Sequence, residues 1–233
     1  MNVISNFDPC VSFLNSQIKP SGREPARPGQ KFRTVTLSRQ TGSGANSVAN
    51  LLVAKLNSNG RTPAPAWAAF DRDLVEKVLA DHQLPSRLAK YFPEDRLTQI
   101  QDAMDGVLGL RPESCTLLEQ TTETILRLAK LGNVILVGRG ANLVTRELPD
   151  ALHVRLVGSV ETRVRRLAEK RGMTRGFALA MIEREDLGRR RYLKRYFEAN
   201  IDDPLLYHLT LNTDLVTVEE TVEMLARIVV KGF

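Results

Sequence analysis

The stretch from Phe32 to Leu56 restricts the possible folds of this chain more than any other. Phe32-Arg33-Thr34-Val35-Thr36-Leu37 reads as a strand, and Ala45 to Leu56 places apolar residues at helical spacing. Between them lies Ser38-Arg39-Gln40-Thr41-Gly42-Ser43-Gly44-Ala45-Asn46-Ser47. A glycine turn that runs from a strand into a helix offers an anion successive backbone N–H groups and the positive end of the helix. Set against the pattern G-x-x-x-x-G-K-[ST], Gly44 takes the second glycine and Arg39 replaces the first. Ala45 stands where the lysine belongs, and Asn46 where the magnesium-linked hydroxyl belongs. The turn is either an anion site without its lysine or a purely structural turn.

Downstream, strand and helix patterns alternate. Trp67 to Asp71 reads as a second strand and Arg72 to Asp81 as the start of a helix. Residues 82–112 are interrupted by Pro85, Pro93, Gly106, Gly109 and Pro112 and suggest short helices standing off the sheet as an insertion. Glu113 to Leu131 forms a long helix stopped by Gly132. Asn133 to Val137 is apolar after its first residue, as expected for a central parallel strand covered on both faces. Ala151 to Val157 is a fourth strand, and Ser159 caps a helix that ends at Arg171 before Gly172. A further helix starts from Thr174, Leu205 to Leu211 is a final strand, and Thr217 to Glu220 is a capping box. The expected architecture is α/β: a doubly wound, parallel, five-stranded sheet that binds ligands at the carboxyl ends of its strands.

At 233 residues the chain suits one such domain, expected over 32–233 after a flexible N-terminal segment, 1–31, that contains Pro9, Pro20, Pro25 and Pro28. Phe7, Val11, Leu14 and Ile18 recur at helical spacing, so this segment could dock on the body or on a second subunit. No apolar run approaches the roughly 20 residues of a membrane helix, and no secretory leader is recognisable, which leaves the cytoplasm as the default. Cys10 and Cys115 share no metal-type spacing with His82, His153 or His208, so no metal ligands are assigned. The net charge of +6 is local: residues 163–195 carry ten Arg and two Lys against four carboxylates, and the remainder is slightly acidic.

The turn after each strand carries the candidate chemistry. Arg139, between Gly138 and Gly140, could reach into the crevice and bind a phosphate, or pair with a carboxylate such as Asp71 or Glu119. On the helix after Thr174, Asp186 and Arg190 are four apart and share a face. Two basic helices joined at 172–176 have the layout of a mobile lid over 163–195 that would bring positive charge to a transferring phosphoryl group. The aromatic residues near that patch, Phe177, Tyr192, Tyr196 and Phe197, are too few to favour stacking recognition of nucleic acid.

In sequence order these motifs resemble the cytidylate kinase-like branch of the nucleoside monophosphate kinases, over about residues 32–230. The resemblance rests on Ser38-Arg39 with Gly42-Ser43-Gly44, on Phe70-Asp71-Arg72-Asp73-Leu74, on Val137-Gly138-Arg139-Gly140 and Pro149-Asp150-Ala151, on Arg163-Val164-Arg165-Arg166, on Glu185-Asp186 with Arg190, and on Asn212-Thr213. It implies ATP with Mg²⁺ and a small nucleotide acceptor, CMP first. Gly42, Ser43 and Gly44, continuing through Ala45, Asn46 and Ser47, would hold the donor phosphates, with Thr213 near the adenine. Arg139 would bind the acceptor monophosphate, and Asp71, Arg72, Asp186 and Arg190 would lie on the acceptor side next to the helical insertion. Arg163, Arg166 and Arg171 would reach in from the lid, and Arg39 is the nearest replacement for the lysine. Against ordinary cytidylate kinases the chain lacks the loop lysine (Ala45), the loop hydroxyl (Asn46) and the aspartate before Gly138 (Val137). A nucleotide-binding regulatory protein without catalysis is the alternative.

Overall fold

The computed structural model describes residues 30–58, 66–71 and 113–233. The N-terminal segment, the helix expected from Arg72 and the insertion expected at 82–112 lie outside the described residues, as does Arg72 itself. Five strands form one sheet: β1 (Thr34–Arg39), β2 (Ala68–Phe70), β3 (Val134–Val137), β4 (Ala151–Val157) and β5 (Leu209–Asn212). Their order is β2-β3-β1-β4-β5 and every pairing is parallel, with Thr34 opposite both Val134 and Ala151. β1 is therefore central, and the turn that follows it opens at the middle of the sheet's carboxyl edge.

Period-two alternation sends the two sides of β1 into different layers. Val35 and Leu37 join one core cluster with α1 (Ala45–Ser58) and α6 (Val218–Lys231). Helix α1 contributes Val48, Ala49, Leu52 and Leu56 at spacings of one helical turn, and α6 answers with Val222, Leu225, Ala226 and Val229. On the opposite face, α2 (Glu113–Leu131) buries Ile125, Leu128 and Ala129 against Val134 and Leu136, while the Thr34 hydroxyl donates to the Ala129 carbonyl at 3.1 Å. A short helix, α3 (Ala141–Val144), follows β3 and was not anticipated.

The two basic helices are α4 (Val160–Arg171) and α5 (Arg175–Phe197). Ser159 caps α4 and Thr174 caps α5 through their side-chain oxygens, and Gly172 ends α4 in the left-handed conformation. Val164 and Leu167 pack on Ala178 and Ile182, which gives the pair a small apolar cluster of its own. Thr217 and Glu220 form the expected capping box at the start of α6. The last strand differs from expectation: Pro204–Leu206 is a 3-10 turn and pairing starts only at Leu209. Proline cannot donate to the ladder, and the Asp203 carboxylate accepts from the Leu205 N–H, so the local turn displaces the strand.

On β4, opposite Thr36 of β1, His153 is held neutral. Its Nδ1 lies 2.9 Å from the Thr36 hydroxyl, its backbone N–H donates to His208 Nδ1 at 3.0 Å, and the two rings are 5.0 Å apart. Burial, helped by the nearby His208, pushes the His153 pKa down to about 4, and burial lowers that of His208 as well. In the unfolded chain histidine takes its proton near pH 6.5, so stability is intact above that pH and drains away as the pH falls toward 4. The expected loss from His153 is about 3 kcal/mol across this interval, of the order set by the pKa difference. Urea unfolding at pH 7 and pH 4 measures it. His153→Gln should flatten the dependence, and a wild-type stability that does not change between those pH values would refute the assignment.

Candidate active site

The β1 strand continues to pair with β4 through the Gln40 N–H, which donates to the Leu156 carbonyl at 3.0 Å, and then the chain turns sharply. The Ser43 N–H donates back to the Gln40 carbonyl at 3.2 Å, and Gly42 and Gly44 both take φ values above +80°. Glycine is required at position 42 for a second reason: a Cβ there would lie 2.7 Å from the Arg163 carbonyl oxygen. The first turn of α4 is thus seated directly on the loop. The Ser43 hydroxyl is fully buried within this turn and has no hydrogen-bond partner. Ala45 belongs to the main core cluster, Asn46 is exposed, and the Ser47 hydroxyl lies 3.5 Å from Lys170 Nζ of α4.

Thr41 is gripped on every polar atom. Its N–H donates to Asp186 Oδ1 at 2.8 Å, its carbonyl accepts from Arg163 Nη1 at 3.0 Å, and its hydroxyl meets both Glu185 (2.9 Å) and Arg189. Asp186 in turn pairs with Arg163 and with Arg189, each at 2.7 Å. Burial of Asp186 opposes its ionisation, yet the Thr41 N–H together with Arg189 and Arg163 outweighs that and holds its carboxyl below the usual aspartate range. Arg163 also donates through Nε to the Gly158 carbonyl. Asp186 and Arg190 share a helix face but do not pair: residues three apart share a face as well, and Arg189 is the buried one. Arg190 is half exposed and turns to Asp202, which also receives Arg155 at 2.6 Å.

At the same carboxyl end of β1, on the side of β3, Arg39 crosses the end of β3 to reach Asp71 after β2, at 3.3 Å. It passes so close to Gly138 that a Cβ there would lie 1.7 Å from its Nη1. Gly138, Arg139 and Gly140 are three consecutive left-handed residues, at φ 84°, 56° and 67°. For arginine this conformation is uncommon and is the kind of local strain that functional turns retain. Arg139 then lines a cleft with Ser38, Arg39, Asn142, Arg189 and Tyr192.

A third group of contacts closes the turn after β5. The Thr213 hydroxyl donates to the Val157 carbonyl, and Arg166 of α4 donates to both the hydroxyl and the carbonyl of Thr213. The Gly158 N–H donates to the Gln40 side chain, and the Ser159 N–H to Asp214. Hydrogen bonds from Ser159 lower the pKa of the Asp214 carboxyl. Arg171 sits apart from these groups, exposed, with Nη1 3.2 Å from Met181 Sδ. The structure therefore brings the 42–44 turn, Arg163 and Asp186 together, sets Arg39 beside Asp71 and Arg139, and places Arg166 on Thr213.

Sequence reasoning missed Arg189, Glu185 as a loop contact, and the buried Arg155, whose Nη1 donates to the Ser38 hydroxyl at 3.0 Å. A charge in the middle of the apolar run Ala151 to Val157 was a signal for Arg155, and the spacing from Glu185 to Arg189 was one for that pair. Among the described residues no group of three or more His, Cys, Asp or Glu side chains could hold a metal ion.

Removing the Asp186 charge should cost the fold heavily, since Arg163 and Arg189 would be left as neighbouring buried cations. Asp186→Asn is expected to destabilise the protein by about 3 kcal/mol, the range for breaking a buried pair from one side. Because the folded-state carboxyl titrates below the usual range, this contribution is present above the ordinary aspartate pKa and lost as pH falls through the lowered one. Urea unfolding at pH 7 checks the size. A loss under 0.5 kcal/mol, the level of an exposed pair, would contradict the network.

The model of the cytidylate kinase-like family matches residues 34–215 of this chain. A protein named cytidylate kinase from Pyrobaculum calidifontis is 30% identical over 195 residues, spanning 82% of this chain and 89% of the relative. A cytidylate kinase from Pyrobaculum islandicum is 27% identical over 191 residues with the same coverage. Among solved structures, an uncharacterized protein from Eubacterium ventriosum shares the fold with a TM-score of 0.62 at 18% identity, over 84% of this chain and 98% of that one. The family match and the two relatives support a phosphotransferase acting on a nucleotide or another small molecule. The five-stranded parallel sheet, the glycine turn at its centre and the matched span agree, and the chain belongs to the cytidylate kinase-like family.

Proposed function

We propose that the protein transfers the γ-phosphoryl group of MgATP to a nucleoside monophosphate, with CMP the first candidate, through a phosphate loop that lacks its lysine. The observation that carries this reading is the convergence of the 42–44 turn and Arg163 with Arg39, Arg139 and Arg189 at the carboxyl end of β1. The donor phosphates would lie on the backbone N–H groups of the turn, where the buried Ser43 hydroxyl still lacks a partner. An oxygen of the acceptor phosphate attacks the γ-phosphorus, the bond from that phosphorus to the bridging β-oxygen breaks, and ADP leaves with the electron pair. Charge builds on the transferring group and the leaving oxygen, so cations fixed nearby are the main catalytic resource.

Arg39 is the proposed replacement for the lysine. It is mostly buried, oriented by Asp71 and confined against Gly138, so little reorganisation is needed when a phosphoryl group arrives. Mg²⁺ enters as part of the nucleotide substrate, with the phosphate oxygens and water supplying most of its ligands. Such a reaction suits the cytoplasm, and no helix among the described residues is long and apolar enough to cross a membrane. One observation favours a second reading, nucleotide binding without turnover: Ala45 and Val137 are both buried and supply neither charge nor a metal contact.

Coupled ADP-release assays with ATP, Mg²⁺ and a panel of monophosphates discriminate the two. Turnover with CMP or a related monophosphate is expected, and Arg39→Ala should lower kcat by about a hundredfold, as for loss of one fixed donor to a developing charge. An unchanged kcat would remove Arg39 from the mechanism. ATP binding with no turnover across the panel would assign the protein to the second reading.

A further inference from the structure

The cleft between the ends of β1 and β3 and helix α5 contains a polar group that the family resemblance does not use. Asn142 is 5% exposed, lines this cleft, and its side-chain Nδ2 is buried with no hydrogen-bond partner. A buried amide donor is costly to leave unmade, and such a group in a cleft marks either a ligand contact or a bound solvent molecule. The backbone around it is firmly held. Arg39 presses on Gly138, and a Cβ at Gly140 would lie 2.6 Å from the Phe197 ring, so the left-handed turn that delivers Asn142 is clamped from both sides.

Beside apolar Leu37, Leu193 and Ile201, the polar part of the lining has one chemical character. Arg39, Arg139 and Arg189 bring guanidinium groups, Ser38 a hydroxyl, and no carboxylate lines the cleft among the described residues. A site of planar donor forks, a hydroxyl and an amide N–H suits a phosphate monoester and disfavours a neutral or cationic group.

We propose that the side-chain amide of Asn142 donates to a phosphate oxygen of the acceptor, as a binding residue beside Arg139. This rests on the kinase reading for the word acceptor, but the amide's contact with a phosphate monoester can be tested without turnover. The Asn142 side-chain NH₂ signals can be assigned in ¹⁵N spectra as the pair missing from Asn142→Leu. They should shift when wild type is titrated with CMP or inorganic phosphate.

In parallel, Asn142→Leu should fold with an unligated Tm equal to or above that of wild type, because a buried donor has been replaced by a similar apolar volume. Its KM for the acceptor should rise tenfold or more, with the KM for ATP within twofold of wild type. Asn142→Gln should recover part of that loss, which a merely structural role would not produce. NH₂ signals that do not move on titration, or an Asn142→Leu acceptor KM equal to that of wild type, would overturn the inference and leave the amide to solvent. Signals that move in a protein with no turnover would keep the phosphate contact and count against the kinase reading instead.

Discussion

The carboxylate of Asp186 joins three parts of the molecule that otherwise belong to different layers. Through it the glycine turn after β1, α4 and α5 share one buried charge centre, in which Thr41 supplies the N–H and Arg163 and Arg189 the cations. Such a network adds little net stability over an apolar alternative, because each charge gives up its hydration. What it does provide is a single backbone geometry: with all three polar groups of Thr41 engaged, the turn at 42–44 has no freedom to slip. The position of the glycine turn is thus set by the two basic helices as much as by β1.

On the proposed reading, this arrangement is the physical reason why the loop can lack its lysine. In the usual pattern one flexible side chain at the start of the helix reaches over the phosphates. Here that position is Ala45, packed into the core with Val48 and Val222, and the positive groups come from β1, α4 and α5. Arginines fixed by carboxylate partners are poorer in net charge than a lone lysine but better ordered, and catalysis of phosphoryl transfer depends on both. The two helices that deliver Arg163, Arg166 and Arg189 also have an apolar cluster of their own, so they can be seated on the loop as a unit.

Much of this was legible in the chain. The order of strands and helices followed from apolar periodicity, and the caps at Ser159, Thr174 and Thr217 from side chains able to accept from the first turn. The turn at 42–44 and the placement of Arg139 at the cleft followed from glycines that permit positive φ. The partner of Asp186 was not legible, because positions three and four residues on are equally close on a helix and only the tertiary packing buries Arg189 rather than Arg190. Asn142 carried no signal at all: the cleft it lines is completed by Arg189 and Tyr192 from a helix distant in the chain. The start of β5 was misplaced because the turn at Asp203-Pro204 competes locally with the strand.

The central claim is that cationic charge at the phosphate loop comes from arginines on neighbouring elements and not from the loop itself. The most direct measurement is kcat/KM for ATP in Ala45→Lys. If the arginines already fill the role, a lysine introduced at this buried position should bring no gain and should lower the Tm by disturbing the core. A hundredfold rise in kcat/KM on restoring the lysine would contradict the account, since it would show a site waiting for the charge that the loop had lost.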